Sequence, residues 1–386
     1  MKIKKEITFI YQDSAEYCQF KPIADEAEGR GYKVKWSTDK LEKCEIGFYC
    51  QHVNFPQFSK FSVIMLHDII QQYSNWPNLW FRENWNKYDI GILPSKQWVK
   101  NWDCCSQWKY ARPRIAMFEV GWPKADAISG LKQLSNRDEF YKKYGLDTSR
   151  RTVLYAPAWE NDNKQDDFVQ AMMKLDVNIV VKQGDMPKDQ YPDQYRNIQE
   201  MYELHKNNSR VCLLPPSMNI FEAIAVSDIL VSEESSTMCE AAMMKIPAVS
   251  VSDWLIPDVT PSRYPRDDYD FVTKTKKDNL TNCIADILDN YMKYKKSVES
   301  YADNMFSNIG NCATLIMDII DEAIDNRPFT LTPLAARNKE PEGLSSYLRR
   351  SKNNIINQIN YNLRVRFKTV DRVWLFAKKI KTLLYH

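Results

Sequence analysis

The sequence predicts an α/β protein with two mainly parallel sheets and a basic helical tail. Three observations carry this expectation. Short apolar runs alternate with helix-like stretches, the pattern of buried strands joined by crossover helices. The alternation pauses at a polar stretch, 146–151, and then starts again. From Leu344 onward the composition changes sharply. At 386 residues the chain has room for two to three domains of about 150 residues.

In order, Glu6 to Tyr11 reads as a first strand and Ser14 to Gly29 as a helix. Tyr32 to Trp36, Ile46 to Cys50, Ser62 to Leu66 and Ile90 to Leu93 follow as short strands. Ile115 to Val120 is a late strand of the same sheet, and Asn136 to Tyr144 a helix ending at Gly145. The second series has strands at Thr152 to Tyr155, Asn178 to Val181, Val211 to Leu214, Asp228 to Val231 and Ala248 to Val251. Helical stretches separate them at Phe168 to Leu175, Glu200 to Asn207, Ile220 to Val226 and Ser235 to Met244. Two longer helices are expected at Leu280 to Tyr294 and Tyr301 to Asp325. The result is two Rossmann-like domains, 1–147 and 148–325, then a proline-bearing linker and tail, 326–386. Ligands of such sheets belong at the carboxyl ends of the strands, in the cleft between the domains.

Composition narrows the classes. Apolar residues make up 44% and charged residues 27%, which argues against disorder. No apolar run reaches the roughly 18 residues of a membrane span. Met1-Lys-Ile-Lys-Lys is basic like a signal peptide, but the apolar run after it is too short for one. Nine cysteines without a C-x-x-C pair suggest a reducing compartment. Cys44, Cys50 and His52 match no zinc spacing, so no metal is expected.

The tail from Leu344 holds ten Lys or Arg and one acidic residue, a net of +9, which leaves −6 on the rest of the chain. Leu363, Phe367, Val370, Trp374, Ala377, Ile380 and Leu384 recur at helical steps and form one apolar stripe. Cations on one face with Trp, Phe and Leu on the other suit an anionic membrane surface. A helix docked on the protein body, or an oligomer contact, is the competing expectation. Nucleic acid fits less well, because the body is acidic.

The chemistry concentrates after the strand at Asp228 to Val231. A polar turn opens a helix at Ser235, Ser236 and Thr237. Free amides at a helix start, flanked by three hydroxyls, suit a diphosphate; the plainer expectation is N-capping by Ser235. Glu240, one turn on, is placed to accept from ribose hydroxyls, or else is a solvated helix carboxylate.

This region, Ser232-Glu233-Glu234-Ser235-Ser236 followed by Lys245-Ile246-Pro247, resembles the diphosphate-binding segment of the CDP-glycerol glycerophosphotransferase family. Four further stretches resemble the family in the same order: Asp89 to Ser95, Val120-Gly121-Trp122-Pro123-Lys124-Ala125-Asp126, Val153-Leu154-Tyr155-Ala156-Pro157-Ala158-Trp159, and Asn219 to Ile224. The resemblance spans roughly Val63 to Asp253. It implies a GT-B type transferase of teichoic-acid-like polymer synthesis, with a CDP- or UDP-linked donor held by the second domain. Ser235, Ser236, Thr237, Glu240, Lys182 and Pro157 would then line the donor site, and no metal or other cofactor would be required. It further implies that His67, in Met65-Leu66-His67-Asp68, deprotonates the acceptor hydroxyl while Asp68 orients its ring. The likeness breaks at Lys182-Gln183-Gly184-Asp185, where the family has Lys-x-His-Pro.

The expected activity is transfer of a glycerol phosphate or sugar from a nucleotide donor to a lipid-linked or polymeric acceptor. The setting would be the cytoplasmic face of the membrane, with oligomerisation left open. A nucleotide-sugar glycosyltransferase, a nucleotide-sugar 2-epimerase or a non-catalytic nucleotide-binding scaffold are the alternatives.

Overall fold

A computed structural model describes residues 5–51, 53–66, 69, 79–81, 83–134, 137–157, 165–189, 191–232, 235–251, 271–337, 343–367, 369–374 and 376–377. The first series contains β1 (Glu6–Ile10), α1 (Ser14–Gly29), β2 (Lys33–Ser37), β3 (Cys44–Cys50), β4 (Ser59–Met65), β5 (Ile90–Leu93), α2 (Lys96–Cys105) and β6 (Ala116–Glu119). Two helices, α3 (Ala127–Leu134) and α4 (Arg137–Tyr144), lead to the second series. It runs β7 (Arg151–Tyr155), α5 (Gln165–Met172), β8 (Val177–Val181), α6 (Pro192–His205), β9 (Val211–Leu213), α7 (Ile220–Ala225), β10 (Ile229–Ser232), α8 (Thr237–Met243), β11 (Ala248–Val251) and β12 (Val272–Thr275). After them come α9 (Leu280–Asp289), α10 (Tyr291–Met305), α11 (Cys312–Ile324) and α12 (Leu344–Arg366).

Each series forms one six-stranded sheet, ordered β2-β1-β3-β4-β5-β6 and β12-β11-β10-β7-β8-β9. Every strand pair in both is parallel. Chain order reverses between β1 and β3 in the first sheet, and between β7 and β10 in the second. These reversals are the switch points at which a crevice opens.

The near-continuous apolar strands follow from burial on both faces. Phe9, Phe48 and Phe118 of the first sheet pack beneath α1 and α11. Trp80, Trp85, Trp98 and Trp102 fill its other face. Their indoles are held where a carbonyl is in reach: Trp98 Nε1 donates to Ile69 O at 2.7 Å and Trp102 Nε1 to Ala111 O at 2.8 Å.

The stretch read as two long helices from Leu280 to Asp325 is three. Asn290 stops α9, its side chain bonding back to Asp286 at 2.8 Å. The turn after α10 needs left-handed backbone at Asn308 (φ 55°) and Gly310 (φ 90°), which a continuous helix cannot supply. This turn sends α11 across to the first sheet. Arg30, which caps α1, then binds Asp318 at 2.7 Å and Asp321 at 2.9 Å. Asp126 accepts from the amides of Cys312 at 2.9 Å and Ala313 at 2.7 Å, capping α11.

The expected linker 326–341 is not a free spacer over its described part. Phe329 and Leu331 join the core under the first sheet. Leu334 N donates to Met117 O at 2.8 Å, and Arg337 N to Ser106 Oγ at 2.9 Å. An extended, proline-bearing chain suits the edge of β6, where strand backbone is otherwise open.

The tail stripe expected as one helix is bent. Helix α12 ends at Arg366, and Phe367 is extended at φ −124°, ψ 94°. Arg364 closes the bend, with Nε 2.6 Å from Asp371 and its guanidinium 3.8 Å from the Trp374 ring. Ile380 and Leu384 lie outside the described residues. Among the described residues, no helix is long and apolar enough to cross a membrane. Replacing Asp126 by Ala should lower stability by about 1–2 kcal/mol through loss of the α11 cap, read from urea unfolding. An unchanged midpoint would show that the cap contributes nothing.

Candidate active site between the sheets

The carboxyl ends of β10, β7 and β8 are adjacent, and the switch point falls between the first two. Each end delivers a residue singled out in the sequence. Pro157 follows β7 and is buried, and Lys182 follows β8. Beyond β10, Ser232 Oγ donates to Ala156 O at 2.8 Å, tying the two strand ends together.

The turn into α8 differs from its expected form. The helix starts at Thr237 instead of Ser235. Ser235 is 8% exposed, and its Oγ accepts from Thr237 N at 3.2 Å. Met238 N donates to Ser235 O and Cys239 N to Ser236 O. The turn itself therefore uses amides that the sequence offered to an anion, and Ser235 acts as its local acceptor. Ser236, at the cap position, makes no side-chain cap bond. Thr237 Oγ1 is buried with no partner among the described residues, so it remains available to a ligand.

Glu240 is 1% exposed and not the solvated carboxylate of the alternative expectation. Its Oε1 takes Lys124 Nζ at 2.5 Å, while Oε2 has no partner among the described residues. Lys124 belongs to the Gly121 to Asp126 turn of the first domain, so this ion pair bridges the domains. A carboxylate this deep needs its cation, because a buried unpaired charge is costly.

Lys182 lies close enough to Lys124, Glu240 and Asp185 to feel their charges. Its Nζ donates to Pro216 O at 2.9 Å and Gln183 O at 3.1 Å. Burial, and secondarily the Lys124 charge, lower its pKa to about 8. Asp185 is exposed, so solvent screens it. Gln183 is fully buried, and neither side-chain polar atom has a partner among the described residues.

The domains meet in a shared core, where Ile69, Trp122, Ala125 and Ile128 pack with Ala156, Phe221 and Met238. His67 and Asp68 lie outside the described residues, as do Glu233 and Glu234. Leu66 and Ile69, which bracket the first pair, are both buried. Sequence reasoning assigned no site role to Lys124 or Gln183. The proline turn hinted at Lys124, but its nearness to Glu240 is purely tertiary.

Chemically, the site offers two ammonium groups, a hydroxyl without a partner, a buried amide and a buried carboxylate. That set can hold a phosphorylated, hydroxyl-bearing ligand. Lys182 is protonated below about pH 8 and neutral above it. Nucleoside diphosphate affinity should therefore fall as pH rises through about 8, and Lys182→Met should bind weakly with a flatter profile. Isothermal titration between pH 7 and 9.5 checks this; constant wild-type affinity would remove Lys182 from the anion site.

A family model described as CDP-Glycerol:Poly(glycerophosphate) glycerophosphotransferase matches residues 67–308. The wall teichoic acid polymerase TagF matches in structure with a TM-score of 0.60 at 14% identity, covering 84% of this chain and 90% of that one. A putative UDP-N-acetylglucosamine 2-epimerase from Listeria monocytogenes matches with a TM-score of 0.61 at 14% identity, covering 86% and 100%. The UDP-GlcNAc 2-epimerase from Neisseria meningitidis, bound to UDP-GlcNAc, matches at 0.58 and 12% identity, covering 82% and 99%. No curated protein sequence matches the chain. The two facing sheets are thus a GT-B type fold. The family match covers more than half of the chain, which belongs to the CDP-glycerol glycerophosphotransferase family of transferases.

Proposed function

We propose that this glycerophosphotransferase family member transfers glycerol phosphate from CDP-glycerol to a hydroxyl of a lipid-linked or polymeric acceptor. One observation carries the reading: Lys182, Lys124 and Glu240 gather where β7, β8 and β10 end, against the first domain. A diphosphate there meets two cations, and the Glu240 oxygen without a partner faces the demands of a polyol or ribose. Ser236 and Thr237 add hydroxyls beside it.

In this reading His67, with Asp68 orienting it, takes the proton of the acceptor hydroxyl. The acceptor oxygen attacks the phosphorus that bears glycerol. A new P–O bond forms as the diphosphate P–O bond breaks, and CMP leaves toward Lys182 and the Ser236–Thr237 turn. The cations stabilise the charge gathering on the leaving phosphate.

The tail supports work at a bilayer. Helix α12 turns its polar side to the body: Arg350 is buried, and Tyr361 Oη accepts from Lys40 N at 3.0 Å. Its opposite side leaves Leu348, Ile355, Ile359 and Leu363 exposed, beside Lys352 and Arg366. An apolar stripe turned away from the body, flanked by cations, suits the cytoplasmic face of an anionic membrane.

His67→Ala should reduce transfer at least about a hundredfold with little change in CDP-glycerol affinity. Unchanged turnover would remove His67 from the mechanism. A thermal-shift screen of CDP-glycerol against UDP-sugars tests the donor, since the ligand bound more tightly raises the melting point further. A larger shift with UDP-sugars would favour the nucleotide-sugar reading. Vesicles containing anionic lipid should sediment the protein and release it as salt rises, while deletion of Leu344 to His386 should leave it in solution. Sedimentation of the deletion variant would show that the tail is not the anchor.

A further inference from the structure

A cavity of about 120 Å³ lies where α12 meets the first domain. Its lining includes Asn84, Asn86 and Lys87, just before β5, and Arg350, Ser351 and Asn354 of α12. That is several times the roughly 10–15 Å³ that one water needs, so the space suits a phosphate with a short polyol arm.

The charges there are held in place. Arg350 is 6% exposed, its guanidinium 4.6 Å from the Tyr110 ring centroid and 5.8 Å from that of Phe81. Lys87 Nζ sits 2.7 Å from both Glu83 Oε1 and Asn54 O. Two cations against the Glu83 carboxylate leave one net positive charge, which matches a phosphodiester better than a dianionic monoester. Asn84 Oδ1 is buried and has no partner among the described residues. It calls for a donor, as a hydroxyl provides. Ser351, Asn354 and Asn86 add further polar groups around the same space.

We infer that this cavity binds the phosphodiester and hydroxyls of a glycerophosphate group, presented by bilayer phosphatidylglycerol or by a soluble glycerophosphodiester. The bilayer source rests on the membrane reading above, and the soluble source does not. Neither Lys182 nor Glu240 lines it, so it recognises the group without reacting with it. Seated under α12, the group would hold the tail against the body.

The test uses the full chain with vesicles of phosphatidylglycerol or phosphatidylserine at equal charge density, and separately with glycerophosphoglycerol in solution. Phosphatidylglycerol should be preferred about fivefold, the effect of roughly one hydrogen bond. Arg350→Gln and Asn84→Ala should each abolish the preference. Asn84→Ala removes no described side-chain bond, so an unchanged melting curve separates lost binding from lost folding. Equal binding of both lipids, with no shift by glycerophosphoglycerol, overturns the inference while leaving the membrane reading intact. No binding to any anionic vesicle instead defeats the membrane reading. In that case a melting shift with glycerophosphoglycerol, lost in Asn84→Ala, supports the soluble source, and no shift overturns the site.

Discussion

One six-residue turn, Gly121 to Asp126, sets how the two sheets face each other. Gly121 sits at φ 114°, and a Cβ there would come within 2.3 Å of Ser307 O, so the turn after α10 can approach only a glycine. Asp126 caps α11 and fixes the returning helix on the first sheet. Between them Lys124 reaches Glu240 of the second domain, and Trp122 and Ala125 enter the shared core. A single local conformation thus fixes the crossover helix, the domain contact and one charge of the site.

The electrostatics of the crevice follow from that placement. Glu240 is too deep to stand alone, and Lys124 satisfies one of its oxygens. Lys182, crowded by burial and by the same Lys124, has a depressed pKa, so it is poised to gain from an anion that would restore its charge. Among the described residues, Gln183 after β8 and Thr237 Oγ1 after β10 also bury polar atoms that have no partner.

The tail is amphipathic in the opposite sense to an ordinary surface helix. Tyr361 lies 5.9 Å from Phe55, Gln57 Nε2 donates to Gln358 at 3.3 Å, and Arg350 rests on two rings. The aliphatic residues are left outside. Exposing them to water is unfavourable, so this face is the part of the tail whose packing the body does not supply.

The sequence by itself determined the parallel strands, because burial on both faces leaves uninterrupted apolar runs such as Ile90 to Leu93 that no other role requires. It determined α1 from Ser14 to Gly29, since the glycines that close it, Gly29 and Gly31, are local signals. The family match was legible through Gly121 to Asp126 and Lys245 to Pro247, whose spacing is also local. Tertiary structure alone decided the break before α11, the packing of Phe329 and Leu331, and the bend at Phe367. Each depends on a partner distant in the chain. It alone also paired Lys124 with Glu240, turned the Ser235 hydroxyl inward to its own helix start, and set Arg350 beside Asn84. Periodicity records which face a residue occupies, but charge pairing and cavity walls depend on what another part of the chain brings to that face.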